Sequence, residues 1–363
     1  MPKGRDPEGP ALARGLSSLG RVYVKPVLEA DGRGFCSAEL LIDRPDREML
    51  RLRAGISEIE NWAEAEGRDV TRRVGSLIGH CRAGRLARAG TSFESPRIMG
   101  VLNVTPDSFS DGGLFDDAEG AVAQGRRMIT DGADIIDIGG ESTRPGAAPA
   151  PADQEIARIR PVITALRDAG RPLSVDTRNA ATMDTVVGLG CTMINDISAL
   201  EHDPMAMPVA ANSDAVVALM HNRGDPASMQ QRTDYRNILI EVFDYLAARI
   251  AACETAGLDR SRVVVDPGLG FGKTGAQNFA LLRDLSLFRG LGVPLLVGVS
   301  RKSFIGHATG VGEARERVAG SVGGALWAVA QGADIIRVHD VLETRQALDV
   351  WAAAAGGCLL PKL

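Results

Sequence analysis

Asn103, Glu141-Ser142-Thr143-Arg144, Asp176, Asn195-Asp196, Met220-His221, Asp266, Ser300-Arg301-Lys302, and Arg337 with His339 share one feature. Each closes or directly follows a short apolar run. Ionised acids only accept hydrogen bonds, lysine and arginine only donate, and an amide does both. Brought to one rim, these types make a polar site able to hold an anion. Any one of them alone could cap a helix or sit in a buried ion pair. Their recurrence at equivalent points along the chain favours a shared site. The sequence shows no Ser-His-Asp or Cys-His arrangement for nucleophilic catalysis.

Two glycine-rich segments lie among these residues. Asp266-Pro-Gly-Leu-Gly-Phe-Gly-Lys-Thr274 resembles a phosphate-binding loop, but Pro267 stands where that motif needs its first glycine. It also fails G-x-G-x-x-G, because Lys273 holds the last glycine position, so both nucleotide readings are rejected. The second segment, Gly139-Gly-Glu-Ser-Thr-Arg-Pro-Gly146, permits close backbone approach or loop motion. Its Arg144 can clamp an anion with two hydrogen bonds.

The elements that must position these groups repeat from Arg97 onward. The apolar runs are Ile98–Asn103, Asp134–Gly139, Leu173–Asp176, Met193–Asp196, Ala215–His221, Val263–Asp266, Leu295–Val299 and Asp334–His339. Such runs lack clean alternation and read as parallel strands buried on both faces. Helical stretches such as Asp117–Asp131 and Tyr235–Ala256 lie between them. Eight strand–helix units predict a (β/α)8 barrel of typically ~250 residues, with its chemistry at the C-terminal strand ends.

The first part of the chain differs. Residues 1–95 carry 16 Lys+Arg against 14 Asp+Glu, and the remainder carries 25 against 32. A Gly/Ser/Pro stretch from Gly90 to Pro96 reads as a linker. The expected organisation is a small α+β module over 1–95 and the barrel over 96–363. Within the module, Arg21-Val-Tyr-Val-Lys25 alternates, Ala38–Ile42 is apolar, and a helix is expected around Arg47–Glu66. A basic amphipathic helix follows, with Val70, Val74, Leu77, Ile78 and Cys81 on one stripe.

A net charge of −5 gives no reason to expect nucleic acid or an acidic membrane as partner. An anionic substrate therefore needs a local cationic pocket. Five scattered cysteines, with no C-x-x-C pair, argue against a disulfide framework or a structural zinc. No run approaches the ~18 apolar residues of a membrane span, and Met1–Ser18 lacks a secretory apolar core. A cytoplasmic protein is expected. The chain has only five lysines, so Lys273 and Lys302 each bear weighing.

Ordered along the chain, the motifs resemble those of the dihydropteroate synthase family. They are Asn103-Val-Thr-Pro-Asp-Ser-Phe-Ser-Asp-Gly-Gly113, Asp137-Ile-Gly-Gly-Glu-Ser-Thr-Arg-Pro-Gly146, Ser174-Val-Asp-Thr177 and Asn195-Asp-Ile197, then Leu219-Met-His221, Asp266–Lys273, Ser300-Arg-Lys-Ser303 and Arg337-Val-His-Asp340. The resemblance covers essentially all of residues 97–363; the first ~95 residues depart from a family whose common architecture is the barrel alone.

The resemblance implies condensation of a pterin methyl diphosphate with p-aminobenzoate. It places Asp176, Asn195, Met220, Asp266, Phe271, Lys302 and Arg337 at the pterin, and Asp137 as a supporting partner behind the diphosphate and Mg²⁺ region. It assigns Asn103, Arg144, Arg337 and His339 to the diphosphate, and Asn103 to Mg²⁺. Phe109, Thr143, Pro145 and Ser300 would line the p-aminobenzoate pocket. Asp176, Lys302, Arg337 and His339 would carry the catalysis, and a homodimer is implied. Two alternatives stay open: a methyltransferase using methyltetrahydrofolate on a similar barrel, and a non-catalytic pterin-binding paralogue.

Overall fold

The computed structural model describes residues 12–30, 32, 34–45, 47–83, 95–105, 114–141, 150–225 and 228–355. The first element group is an antiparallel meander of β1 (Arg21–Val27), β2 (Ser37–Asp43) and β3 (Leu50–Gly55). Its register runs Arg21↔Asp43 to Val27↔Ser37 and Ser37↔Gly55 to Ile42↔Leu50. Helices α1 (Ile56–Glu66) and α2 (Arg68–Arg82) follow. The expectation of a helix from Arg47 is corrected: residues 50–55 form a strand. There Leu50, Leu52 and Ala54 alternate with Arg51 and Arg53, a period of two that suits a half-buried strand. Gly55 then opens α1, its N–H donating to Glu58 Oε2 at 2.9 Å.

Eight parallel strands make the barrel: β4 (Arg97–Asn103), β5 (Ile135–Gly139), β6 (Leu173–Asp176), β7 (Met193–Asp196), β8 (Val216–Met220), β9 (Val263–Asp266), β10 (Leu296–Gly298) and β11 (Ile335–Val338). Neighbours pair in chain order, and β11 returns to β4. Closure between β9 and β10 is a single parallel bridge, Val265↔Leu295, where Val265 N–H donates to Pro294 O at 3.0 Å. Around the barrel lie α3 (Leu114–Thr130), α4 (Ala152–Leu166), α5 (Ala180–Gly188), α6 (Ala206–Asn212), α7 (Ile238–Thr255), α8 (Gly275–Arg283), α9 (Ser303–Thr309), α10 (Val318–Ala330) and α11 (Val341–Ala354). The expected (β/α)8 barrel is the observed fold.

The interior is layered by strand periodicity. Met99, Ile135, Met193, Val216, Ala218, Val264, Leu296 and Ile335 form an apolar plug of their own. Residues two further along a strand share its face. Asp137 therefore follows Ile135, Asn195 follows Met193, Met220 follows Ala218, Asp266 follows Val264 and Arg337 follows Ile335. A polar layer thus sits on the apolar plug at the C-terminal end of the barrel.

The N-terminal module packs on the barrel flank, against α7 and the 3-10 segment Leu285–Leu291. Its buried side chains join the barrel's core, Tyr23 meeting Phe243 edge-on at 5.4 Å, and ion pairs add to the contact. Asp284 is buried and accepts from Lys25 Nζ at 2.7 Å and from Arg51 Nη2 at 2.8 Å. Arg236 Nη1 reaches Asp43 Oδ1 at 2.9 Å, and the Tyr23 hydroxyl reaches Asp244 at 3.0 Å. Burial raises the Asp284 carboxyl, but the hydrogen bonds from Arg51 and Lys25 outweigh it and hold it below the usual carboxylate range.

Removing that carboxylate leaves the buried Lys25 and the half-buried Arg51 to share Glu39 alone, at 3.1 and 3.3 Å, so Asp284→Leu is expected to cost about 3 kcal/mol of stability, the lower end for a broken buried pair. A depressed folded-state pKa contributes stability that is present above the ordinary carboxylate pKa and lost as pH falls toward the folded value. Urea unfolding should therefore separate wild type from Asp284→Leu widely at neutral pH and narrowly in acid. An equal gap at both pH values would reject the ion-pair account.

Candidate active site

Asp137, at the middle of β5, is fully buried and central to the polar layer. Arg337 Nε donates to its Oδ2 at 2.7 Å, and Asn195 Nδ2 donates to the same oxygen at 3.0 Å. Arg337 Nη2 donates to Asp176 Oδ2 at 2.8 Å, so one guanidinium ties β5, β6 and β11 together. The other Asp137 oxygen, Oδ1, has no hydrogen-bond partner among the described residues. Burial pushes the Asp176 carboxyl up to about 7; Arg337 opposes this, and Asp137, Glu155 and Asp196 add to it. Burial disfavours the Arg337 charge, but Asp137 and Asp176 more than restore it.

Asp266 and Lys302 form the other side. Asp266 is buried and accepts the Gly268 N–H at 2.7 Å. Burial raises its carboxyl, with Lys302, the Gly268 N–H, Lys273 and Arg337 working against that rise. Lys302 donates to Leu269 O, and its Nζ lies 5.0 Å from the centre of the Phe271 ring. Burial brings the Lys302 ammonium down to about 8; Asp266 holds it up and Arg337 lowers it. Met220 at the end of β8 pairs in register with Asp266.

Ser300 Oγ lies 3.0 Å from His339 Nδ1 and accepts the His339 N–H at 3.1 Å. Ser300 and Lys302 flank Arg301, whose φ of +59° is strained for a residue with a side chain. The strain is held by three contacts: Arg301 N–H to Ser321 Oγ at 2.8 Å, Arg317 to Arg301 O at 2.9 Å, and the Arg301 guanidinium on Asp340. Arg301 is thereby a support for its neighbours, not a cation of the rim. Asp196 likewise serves its own loop, accepting from Ser198 N–H at 2.7 Å and Leu200 N–H at 2.9 Å.

Asn103 ends β4 opposite Gly139, and its Oδ1 lies 3.5 Å from where a Gly139 Cβ would stand. Among the described residues, no group of three or more His, Cys, Asp or Glu is placed to hold a metal ion. The expected Phe109, Thr143, Arg144 and Pro145 lie outside the described residues.

The structure adds supporting groups that sequence reasoning did not assign. Arg178 grips Glu141 with two bonds, at 2.9 and 3.3 Å, and reaches Asp225 at 3.2 Å. Glu155, fully buried, accepts from Thr177, Asn179 and Thr182 at 3.0, 2.9 and 2.6 Å, and so fixes the turn after Asp176. Burial raises the Glu155 carboxyl, while those three bonds oppose the rise. The position of Arg178 two residues after Asp176 is the only sequence signal for the first of these.

Residues 99–339 match the family of pterin-binding enzymes. The dihydropteroate synthase of Neisseria meningitidis serogroup B is 46% identical over 266 residues, which is 72% of this chain and 93% of that protein. The dihydropteroate synthase of Xanthomonas albilineans, solved with 4-aminobenzoic acid, superposes with a TM-score of 0.71 at 45% identity and covers 77% of this chain and 100% of that one. A second structure of that enzyme, in complex with 7,8-dihydropteroate, gives 0.67 at 40% identity over 77% of this chain and 100% of that one. The matched span contains every described residue of the polar layer, and with it the chain belongs to the dihydropteroate synthases among the pterin-binding enzymes.

Proposed function

We propose that this chain condenses (7,8-dihydropterin-6-yl)methyl diphosphate with p-aminobenzoate, giving dihydropteroate and diphosphate. The observation that carries the reading is the paired polar layer. One wall is Asp137, Asp176, Asn195 and Arg337, and the other is Asp266 and Lys302, all at the C-terminal end of the barrel. Complementation of a strain lacking dihydropteroate synthase tests it. Growth supports the reading, and failure of a well-expressed protein to complement favours a non-catalytic paralogue.

In the proposed reaction the bond from the pterin methylene carbon to diphosphate oxygen breaks, and the arylamine nitrogen forms the new bond and loses a proton. Asp176, Asn195 and Asp266 accept from the donor edge of the pterin, and Lys302 donates to its carbonyl and ring nitrogen. Met220 and Phe271 wall the ring. Arg337 and His339 offset charge as it grows on the leaving diphosphate, with Arg144 assigned to the same anion. Phe109, Thr143, Pro145 and Ser300 line the arylamine pocket. Positive charge left on the pterin is offset by ionised Asp176, so no strong general base is required.

Mg²⁺ is the proposed cofactor. A lone amide oxygen, Asn103 Oδ1, fits an ion that keeps waters and takes most other ligands from substrate phosphates. When bound, the ion would neutralise the diphosphate. The division into a module over 1–95 and a barrel over 96–363 is proposed on the separate β1–β3 meander. A homodimer is proposed on Phe279, Trp327 and Leu342, exposed on the adjoining helices α8, α10 and α11. No described helix is long and apolar enough to cross a membrane. Free thiols at Cys36, Cys81, Cys191 and Cys253 support a cytoplasmic setting.

A pH dependence follows from the two shifted groups. The site needs Asp176 ionised, above about 7, and Lys302 protonated, below about 8. kcat/KM for the pterin diphosphate should rise through the first value and fall through the second. Asp176→Asn should abolish the acidic limb and leave the basic one; a retained acidic limb would remove Asp176 from that role.

A further inference from the structure

Lys273 is one of five lysines in the chain, and its ammonium is buried at the centre of the loop that follows β9. Its Nζ donates to Gly268 O and Phe271 O at 2.8 Å each and lies 3.3 Å from His221 O. It also lies 3.0 Å from His221 Nδ1. Burial, with Lys302 and Arg223, pulls the Lys273 ammonium well below its usual pKa, and Asp266 opposes this. The four acceptors around Nζ, more than the two N–H donors of a neutral amine could satisfy, are what favour the cation. Burial, with the charges of Lys273 and Arg223, holds the His221 imidazole neutral, its pKa at about 2. With the single proton of the neutral ring on Nε2, Nδ1 accepts from the Lys273 ammonium. The His221 ring is itself packed edge-on against Tyr245, with centroids 4.9 Å apart.

The loop can turn its carbonyls inward only through left-handed glycines. Gly268 has φ +67°, and a Cβ there would stand 2.0 Å from His221 O. Gly270, at φ +87°, packs on the Lys302 side chain, where a Cβ would come within 3.0 Å of Cδ. The outer side of the same turn carries the contacts of the pterin wall. Gly268 N–H donates to Asp266, Leu269 O accepts from Lys302, and the Phe271 ring faces Lys302. Asn278 Oδ1 adds an outer tether, accepting the Gly270 N–H at 2.7 Å.

We propose that Lys273 is a positioning residue for the pterin wall: its ammonium, caged by Gly268 O, Phe271 O and His221, sets the turn that orients Asp266, Lys302 and Phe271. The inference rests on the reading of Asp266 and Lys302 as pterin contacts. Lys273 acts through the loop and touches no substrate. Lys273→Met keeps the stem length and removes the charge, so the inward carbonyls repel and the turn opens.

The test is steady-state kinetics of the full chain with pterin diphosphate and p-aminobenzoate. Small misplacements remote from the chemistry cost up to ~10²-fold. Lys273→Met should raise KM for pterin diphosphate by about tenfold or more and lower kcat, with KM for p-aminobenzoate unmoved. Lys273→Ala should regain pterin affinity when propylammonium is added. Should Lys273→Met not fold, His221→Leu removes one acceptor and should give the same KM split in weaker form. A purely structural role would lower the melting temperature and the active fraction and leave both KM values in place. That outcome, in either variant that folds, overturns the inference. Asp266→Asn serves as the reference: raised pterin KM there with normal KM in the Lys273 and His221 variants defeats the positioning role alone. Normal KM in all of them defeats the pterin-slot reading as well.

Discussion

Arg337→Met is expected to lower kcat/KM by at least ~10³-fold, about 4 kcal/mol of transition-state stabilisation. The substitution does two things at once. It takes away a donor proposed to meet charge growing on diphosphate, a kind of loss that costs about 10²–10³-fold by itself. It also leaves Asp137 and Asp176 buried without the guanidinium that joins them at 2.7 and 2.8 Å. Two carboxylates in one dry site cannot both stay ionised. Asp176, already raised to about 7 with Arg337 in place, then holds its proton to higher pH.

The acidic limb of the pH profile should therefore move upward in Arg337→Met as well as the rate falling. The two losses are coupled, so Arg337→Met/Asp176→Asn should be less damaging than the product of the single effects. A rate loss below about tenfold, or an acidic limb that stays in place, would separate Arg337 from both roles.

The barrel was legible in the sequence because each of its strands is a continuous apolar run bounded by turn residues, a pattern that burial on both faces imposes. The polar layer was legible for a related reason. In a closed barrel the C-terminal parts of the strands meet at one rim, so residues far apart in sequence, such as Asp176 and Arg337, need only lie near the ends of their strands to meet. What the strand pattern did not reveal was which polar groups turn away. Asp196 ends β7 and Arg301 lies in the turn just past β10, yet Asp196 folds back on Ser198 and Leu200, and Arg301 points to Asp340. That choice depends on left-handed backbone at Ala199, Leu200 and Arg301, which no composition rule for non-glycine residues predicts.

The module was misread at β3 for a different cause. Residues 47–66 contain enough charge and leucine to pass as an amphipathic helix, and the two-residue alternation over Leu50–Ala54 spans too few positions to outvote it. Tertiary pairing with β2 decides the matter. The salt bridges on Asp284 were beyond the sequence altogether, since Lys25, Arg51 and Asp284 come together only through docking of the module.

Asp266→Ala is expected to weaken pterin binding by about 3 kcal/mol, roughly 10²-fold, the value of charge-assisted hydrogen bonds lost in a desolvated pocket. The carboxylate is 4% exposed, and its Oδ1 already accepts the Gly268 N–H at 2.7 Å. The remaining accepting capacity is what a donor edge of the pterin would use. The same carboxylate is the group that holds Lys302 protonated against the cost of burial. Without it the Lys302 ammonium titrates lower still, so the basic limb of kcat/KM should move down in pH as affinity falls. Asp266→Asn keeps the size and one acceptor while removing the charge, and should lie between wild type and alanine in affinity. Its basic limb should fall with that of the alanine variant, because the charge and not the shape supports Lys302. Titration calorimetry with pterin and pH-resolved kinetics measure the two effects independently. Near-normal pterin affinity in Asp266→Ala would remove Asp266 from the slot, and a basic limb unmoved in both variants would show that Lys302 owes its proton to something else.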